Sequence, residues 1–487
     1  MPVDGMSLAA WRRRAGMSKA LPTLAPPNAS AEVDLYEVRR TIYPRAVHGL
    51  FASWRVALVL FTQIIFYGMP WLTWNGRQAV LFDLALRKFY IFGAVFWPQD
   101  FIFLTVLLII SALALFLFTA IAGRLWCGYA CPQTVYTEIF LWIERAIEGE
   151  RLQRMRLDSR RLDMEKLFKK SFKHFVWLLL SLWTGFTFVG YFTPIRELML
   201  PFLQAQLGPW ETFWIVFYGF ATYGNAGWMR EQVCMYMCPY ARFQGVMFDP
   251  DTLVITYDGK RGEPRGARGK RGDFKAAGLG SCVNCGICVQ VCPTGIDIRD
   301  GMQYECIGCA ACIDGCDIVM DRFGYPHGLI RYTTENALRN DYQACDIVRR
   351  VLRPRTVIYS AVLMAIVTVF FALLALRVPL KVDVLRDRAT LVRETDAGLL
   401  ENVYRLQIMN TAERSRKVVV TATGIEGLQI DAQQPIEIPA ASSVTVPVVL
   451  RIAPAVTTPG SHPVHFHIED TADPRVKADE KSAFYAR

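Results

Sequence analysis

Two stretches of the chain, CVNCGICVQVCP at residues 282–293 and CIGCAACIDGCD at residues 306–317, repeat one cysteine spacing. Each reads C-x2-C-x2-C-x3-C, so the two copies contain eight of the thirteen cysteines. Three thiols in one tight loop can bind three irons of a cluster, while a fourth thiol comes from elsewhere in the chain. The spacing therefore predicts iron–sulfur cofactors.

Cysteines in this arrangement hold the two cubane clusters of bacterial ferredoxins, in which the last cysteine of each run binds the neighbouring cluster. The predicted ligands of one [4Fe–4S] cluster are Cys282, Cys285, Cys288 and Cys316, and those of the other are Cys306, Cys309, Cys312 and Cys292. Zinc sites usually combine a C-x2-C pair with a distant second pair, and disulfides do not persist in a reducing cytosol. Pro293 follows Cys292 as the pattern expects, whereas Asp317 stands where a second proline is expected.

The apolar residues are gathered in long blocks of a 487-residue chain with a mean hydropathy of +0.23 and a hydrophobic fraction of 53%. About 20 apolar residues in a helix cross the hydrocarbon core of a bilayer. We predict five such spans, at residues 54–74, 101–123, 172–192, 210–228 and 356–376. Phe89–Trp97 is too short to cross and is interpreted as an interfacial or re-entrant segment.

Lysine and arginine are dense before residue 46 and in loop 124–171, and they are sparse in loops 75–100 and 193–209. Because basic loops remain in the cytoplasm, we expect a multi-pass protein of the bacterial inner membrane. Its N-terminus and cysteine-rich segment are then cytoplasmic, and residues 377–487 are periplasmic. The net charge of +10 suits anionic membrane lipid and requires no nucleic acid. The run Lys260–Lys275 is interpreted as a flexible basic linker.

The tail alternates apolar and polar residues in short runs at 403–409, 417–422, 436–438 and 443–450, separated by turns that contain proline or glycine. About a hundred residues of this texture predict an immunoglobulin-like β-sandwich. His462, His465 and His467 leave two interpretations open. They are either ordinary histidines of an exposed edge strand, which is the favoured interpretation, or part of a metal site.

A second repeat, C-x-Y-x-C-P, occurs at residues 127–132 and 234–239, each time just after a predicted span that enters the cytoplasm. This indicates an internal duplication and brings four thiols to one depth. Pro132 at a first helical turn puts Cys131 near the N-cap, where the helix dipole lowers a thiol pKa. Since soft thiolates prefer Cu(I), the repeat predicts a copper or redox-active thiol site at Cys127, Cys131, Cys234 and Cys238, with Met235 and Met237 as thioether helpers.

Alternatively, these four residues are buried cysteines that act only as small apolar side chains. Cys345, which is isolated, is taken as structural.

The combination of these features resembles the cytochrome c oxidase accessory proteins known as CcoG, FixG or RdxA. The resemblance implies that Cu(II) is reduced to Cu(I) at Cys127, Cys131, Cys234 and Cys238, with the eight ferredoxin cysteines as the electron relay. It also implies a role in the assembly of cbb3-type oxidase. The implied partners are copper ions, oxidase assembly factors or copper chaperones, and an electron donor that is either a cytoplasmic reductant or quinol.

The predicted fold is a membrane α-helical bundle of about five spans with an inserted bacterial 2[4Fe–4S] ferredoxin-like domain and a C-terminal all-β immunoglobulin-like sandwich. The predicted parts are an N-terminal arm (1–50), a membrane domain (51–230), a cytoplasmic connection with the basic linker (231–280), the ferredoxin domain (281–320), a connector (321–355), the last transmembrane helix (356–376) and the periplasmic domain (377–487).

The membrane half also resembles the polyferredoxin-like proteins of nitrate and nitrous-oxide respiration. Two other functions therefore stay open: a quinol-linked electron conduit without copper chemistry, and a non-catalytic scaffold for oxidase assembly.

Overall fold

The computed structural model describes residues 41–269, 278–387 and 392–487. Most of the predicted N-terminal arm, and residues 270–275 of the predicted basic linker, lie outside these ranges. The described residues form a helical bundle, a cysteine-rich domain at one end of it and a β-sandwich at the other.

The bundle and the cysteine-rich domain contain both long apolar helices and short helices of one to three turns. In chain order they are α1 (Leu50–Gly68), α2 (Phe101–Ala122), α3 (Leu125–Tyr129), α4 (Pro132–Glu148), α5 (Arg151–Ser159), α6 (Met164–Val189), α7 (Ile195–Leu203), α8 (Pro209–Thr222), α9 (Pro239–Met247), α10 (Gly259–Gly262), α11 (Ile287–Gln290), α12 (Ala311–Phe323), α13 (Glu335–Asn340), α14 (Ala344–Val351) and α15 (Pro354–Ala375). Two π-helical segments, Tyr223–Met229 and Val233–Met237, follow α8.

Four helical stretches of the described chain are long and apolar enough to cross a membrane: Leu50–Trp71, Pro98–Ala122, Met164–Val189 and Pro354–Ala375. They correspond to four of the five predicted spans, so the protein is a membrane protein. The remaining predicted span, 210–228, is divided in the structure. Its α-helical part, α8, has only 14 residues, and the chain then continues as the π-helical segment Tyr223–Met229.

A buried carboxylate fixes the end of this divided helix. Glu144 on α4 forms ion pairs with Arg230 at 2.9 Å, with Arg154 at 3.1 Å and with Lys173 at 3.5 Å. Arg230 directly follows the π-helical segment and lies four residues before Cys234. The ion pairs therefore hold the start of the second C-x-Y-x-C-P motif against α4, the helix that begins at the proline of the first motif.

The structure does not support a re-entrant segment at Phe89–Trp97, because this segment packs against the sandwich, while its interfacial position stays a prediction. This segment contributes two strands, Lys88–Ile91 (β4) and Ala94–Phe96 (β5), to a three-stranded antiparallel sheet. Alternate residues of a strand face the same side of the sheet. The buried side chains of this segment pack against Met409 of the sandwich. The strands before the sandwich are β1 (Thr73–Trp74), β2 (Arg77–Gln78), β3 (Val80–Asp83), β4 (Lys88–Ile91), β5 (Ala94–Phe96), β6 (Val254–Tyr257) and β7 (Ile330–Thr333).

The C-terminal domain is the predicted two-sheet sandwich. Its strands are β8 (Leu380–Arg386), β9 (Arg393–Glu394), β10 (Leu400–Asn410), β11 (Arg416–Thr423), β12 (Gln429–Asp431), β13 (Ile436–Ile438), β14 (Ser443–Ile452), β15 (Gly460–Asp470) and β16 (Lys477–Ala486). One sheet has the order β12-β14-β10-β8, with β9 also paired to β10, and the other has the order β13-β11-β15-β16. Tyr404, Phe466 and Phe484 are fully buried between them.

The cysteine-rich domain is larger than the predicted segment 281–320. Strands β6 and β7 pair antiparallel, and their Ile255, Tyr257 and Ile330 share one apolar core with Cys282 and Cys316. The core therefore closes with residues from both sides of the cysteine runs.

This domain is attached to the first membrane helix through Asp314, which lies on α12. The carboxylate of Asp314 accepts hydrogen bonds from the backbone N–H groups of Phe51 (3.2 Å) and Ala52 (2.7 Å). These N–H groups have no partner within the helix, so Asp314 stabilises the N-terminus of α1 from another domain.

Candidate functional site

The eight ferredoxin cysteines form two groups in space. Cys316 on α12 lies within electrostatic range of Cys288, Cys282 and Cys285. We call these four residues the distal group: Cys282, Cys285, Cys288 and Cys316. Cys312 lies correspondingly close to Cys309, Cys306 and Cys292. We call these four the proximal group, because they lie nearer the helical bundle: Cys292, Cys306, Cys309 and Cys312.

In both groups the fourth thiol comes from the other cysteine run, as in the predicted sets. Cys288 and Cys312 lie near each other, so the two groups are adjacent. The assignment of these residues as cluster ligands stays a prediction.

The proximal thiols enclose a cavity whose other walls are mostly apolar. Cys292, Cys306, Cys309 and Cys312 line it, together with Ile296, Ile298, Ile307 and Ala310. Burial raises the pKa of Cys306 to about 12 in the absence of a bound group. Four thiols around one enclosed space suit a cubane cluster, in which each thiolate binds a different iron. When bound, such a cluster supplies one-electron chemistry, and these residues would hold it.

The distal group lies closer to the surface, because Cys285 is exposed. An ion pair lies beside this group. Arg299 contacts Asp297 at 2.6 Å and interacts electrostatically with Cys288 and Cys282. Asp317, at the place of the second expected proline, lies beside Cys316 and helps to raise the pKa of that thiol to about 12, where burial is the larger cause.

The two C-x-Y-x-C-P motifs meet at the same end of the bundle. Cys131 is the N-cap of α4 and Cys238 is the N-cap of α9, with a proline at the first helical turn in each case. Cys234 is within electrostatic range of Cys131, Cys127 and Cys238. We call the four cysteines, Cys127, Cys131, Cys234 and Cys238, the repeat group. The structure brings all four together.

The expected low pKa of Cys131 does not occur. Burial raises its pKa, and this outweighs the stabilisation of the thiolate by backbone N–H groups at the start of α4. Burial likewise raises the pKa of Cys127 to about 11 and that of Cys234 to about 12. Without a metal these thiols are protonated at neutral pH, and metal binding would have to displace their protons.

Two glycines bring the repeat group against the proximal group. A Cβ atom at Gly128 would lie 2.8 Å from the Cα of Cys309, and a Cβ atom at Gly308 would lie 3.0 Å from the carbonyl oxygen of Arg124. Gly308 also has a φ of 69°, which favours glycine. Cys127 and Cys234 pack against the apolar cluster that contains Cys309. The two sets of thiols are thus separated by little more than backbone.

Three polar residues at this contact were not found from the sequence. Arg124, which is buried, donates hydrogen bonds to the carbonyls of Tyr304 and Ala241, so it joins both motifs to the cysteine-rich domain. Gln244 is completely buried and accepts a hydrogen bond from the Cys127 thiol at 3.4 Å. Arg55 on α1 lies beside Cys309. An arginine inside a predicted span was a usable signal for Arg55, because such residues are usually functional.

A single metal ion finds no ready-made site in the described ranges, since no three His, Cys, Asp or Glu side chains converge on one point there. Sulfurs that share one ion lie within about 4.6 Å of each other, twice a Zn–S bond. Met237 is 58% exposed, so the thioether role of Met235 and Met237 also stays a prediction.

The remaining candidates have ordinary surroundings. Both ring nitrogens of His467 form hydrogen bonds, one with Asp479 at 2.5 Å and one with Thr423 at 2.8 Å. His462 forms a hydrogen bond with the carbonyl of Thr458 at 2.7 Å. These contacts fit the interpretation of the histidines as strand residues. Cys345 is exposed.

Comparison with known proteins supports both the redox site and the sandwich. Residues 229–335 match the model of a 4Fe-4S dicluster domain, and residues 104–149 match that of a 4Fe-4S binding domain. Residues 370–487 match the model described as "IG-like fold at C-terminal of FixG, putative oxidoreductase". The nitrogen fixation protein FixG of Rhizobium meliloti is 40% identical over 424 residues, 80% of each chain. The chain belongs to the FixG/RdxA family.

Other members are similarly close to this FixG/RdxA chain. Protein RdxA of Cereibacter sphaeroides is 38% identical, covering 84% of this chain and 88% of its own, and RdxB of the same organism is 40% identical, covering 85% and 87%. A solved FixG-related protein from Vibrio parahaemolyticus aligns with 22% of this chain and 97% of its own, at 20% identity and a TM-score of 0.20. The family-model matches and the relatives at about 40% identity together show an iron–sulfur electron-transfer protein of the FixG/RdxA family.

Proposed function

We propose that this protein reduces Cu(II) to Cu(I) at the repeat group during the assembly of a cbb3-type cytochrome c oxidase. Each Cu(II) ion takes up one electron, which the proximal group delivers. The donor is a cytoplasmic reductant or quinol, and the partners are oxidase assembly factors or copper chaperones. The proposed orientation puts the cysteine-rich domain in the cytoplasm of a bacterial inner-membrane protein and the sandwich in the periplasm.

The backbone contact between Gly128 and Cys309 carries this proposal. It leaves a short path from the proximal thiols to the repeat group, whose sulfurs are soft donors suited to Cu(I). Because no three of these thiols converge on one point in the described ranges, more than two could hold one ion only after they move closer together. The raised pKa values of Cys127 and Cys234 fit a substrate that arrives and leaves, because protons compete with copper at these thiols.

Replacing both Cys127 and Cys234 with serine tests the copper step. The purified protein is reduced with dithionite, and the excess reagent, which itself reduces Cu(II), is removed. We then expect Cu(I) formation to fall at least about tenfold, since even outer-shell partners of metals typically contribute that much. Iron–sulfur absorbance should remain. Cys345→Ser is the matched control and should retain full activity. Undiminished copper reduction in the double variant would contradict the proposal.

A second candidate function rests on the match of residues 104–149, which contain Cys127 and Cys131, to a 4Fe-4S binding domain. In this alternative the repeat group holds a further iron–sulfur cluster and the protein is an electron conduit without copper chemistry. Iron analysis distinguishes the two: a loss of iron from Cys127→Ser would support the conduit, and unchanged iron would support copper as the substrate.

A further inference from the structure

Arg55 is a buried cation in the first turns of α1, with 9% of its surface exposed. It shares a narrow cavity with Cys309, Cys234 and Glu138, at the contact between the proximal and repeat groups. Its guanidinium interacts with the Cys309 thiol both electrostatically and as a hydrogen-bond partner. Its Nε atom has no hydrogen-bond partner within the described part of the chain.

The position of Arg55 is fixed by the domain that it contacts. Asp314 caps α1 one turn earlier, and Asp314 lies between Cys312 and Cys316 on α12. The same helix that supplies one thiol to each group therefore also holds the helix that carries Arg55. A charge that is fixed in this way stabilises added negative charge at the proximal group, and no side chain has to move when that charge appears.

A cluster at the proximal group needs such a charge. Reduction adds one negative charge, and the apolar cavity around these thiols disfavours it because little water is present to solvate it. Hydrogen bonds to the sulfurs and nearby positive charge raise the reduction potential of an iron–sulfur cluster. At the distal group, by contrast, Cys285 is exposed and the cation Arg299 is paired with Asp297.

We propose that Arg55 is a positioning residue that raises the reduction potential of the cluster at the proximal group. One electron then moves from the distal to the proximal group, so that the distal cluster is oxidised and the proximal cluster is reduced. The electron thus rests beside Cys127 and Cys234. This inference rests on the proposed function for its direction, but the potential itself is measurable in copper-free protein.

The test is an EPR-monitored redox titration of the full-length, copper-free protein. Arg55→Gln should shift the potential of one cluster to a more negative value and leave the other unchanged. Arg55→Lys, which retains the charge, should keep the potential of that cluster close to the wild-type value. The affected signal should be the one that persists in Cys285→Ser, since that variant alters the distal ligand set.

Glu138 provides a variant of opposite sign. It lies near both Arg55 and Cys309 and accepts a hydrogen bond from Trp142 at 2.9 Å. Glu138→Gln should shift the same cluster to a more positive value, which general damage to the fold would not do. The control is Arg331→Gln, which removes a cation of the cysteine-rich domain that is paired with Asp258 at 3.0 Å.

The proposal is overturned if Arg55→Gln leaves both potentials unchanged, shifts both equally, or has no larger effect than Arg331→Gln. If the unaltered protein with reduced clusters fails to reduce Cu(II), only the proposed function is contradicted, because the potentials are measured in copper-free protein.

Discussion

The two ends of the helical bundle are joined to their domains by different contacts. At the cysteine-rich end, glycine backbones, thiols and the buried cations Arg55 and Arg124 meet. At the sandwich end, Asp100 at the start of α2 forms ion pairs with Arg377 and Lys381, while Glu413 pairs with Arg77. The first contact brings the proximal and repeat groups close together, whereas the second holds the sandwich against the bundle. Substitutions at the two ends should therefore affect different properties.

The largest effect is expected at Asp100, whose carboxylate is almost completely buried. Asp100→Asn leaves two cations with a neutral partner and should destabilise the docking of the sandwich by about 3 kcal/mol. Limited proteolysis between α15 and β8 should become faster, while iron–sulfur absorbance and copper reduction remain normal. Impaired copper reduction in this variant would break the distinction between the two ends.

The next effect concerns the repeat thiols at the opposite end. Burial raises the pKa of Cys127 from 9.0 to about 11, so less thiolate is present at pH 8. In copper-free protein, iodoacetamide should label Cys127 about a hundredfold more slowly than an unperturbed thiol, and the rate should rise tenfold per pH unit toward pH 11. Mass spectrometry measures the labelling, with exposed Cys345 as the reference. A plateau for Cys127 below pH 9 would contradict the burial argument.

The contact between the two glycines gives a more local test. Gly128→Ala introduces a Cβ atom that would lie 2.8 Å from the backbone of Cys309, so the two loops must separate. We expect copper reduction to slow by about tenfold or more, because small misplacements of reacting groups are costly. Gly259→Ala, where a Cβ atom meets nothing within 4 Å, is the matched control. Equal rates in the two variants would exclude this contact as the electron path.

The smallest effect is expected at Glu413. Its ion pair with Arg77 is about one-fifth exposed on each side. Glu413→Gln should therefore destabilise the sandwich docking by less than about 1 kcal/mol, as is usual for pairs near the surface. The same proteolysis assay should rank it well below Asp100→Asn. An effect as large as that of Asp100 would mean that the docking depends on the whole ion-pair cluster.

Features that depend on residues near each other in sequence were predictable. The starts of α4 and α9 follow from proline after Cys131 and Cys238, since proline is compatible with a first helical turn. The sandwich strands follow from alternation; β13, for example, has the predicted bounds Ile436–Ile438. The strands at 88–96 were missed because a short apolar run rich in aromatic residues is also typical of a membrane interface, and the Met409 against which it packs lies far along the chain.

By itself the sequence determined the cysteine runs, most of the apolar spans and the class of each domain, because local spacing and periodicity encode them. Tertiary structure alone decided which surfaces meet. Asp314 caps a helix that is 263 residues away, and Gly128 contacts Cys309 of a different domain. It also reversed the expected pKa of Cys131, because burial depends on the whole fold and here outweighs the local helix N-terminus.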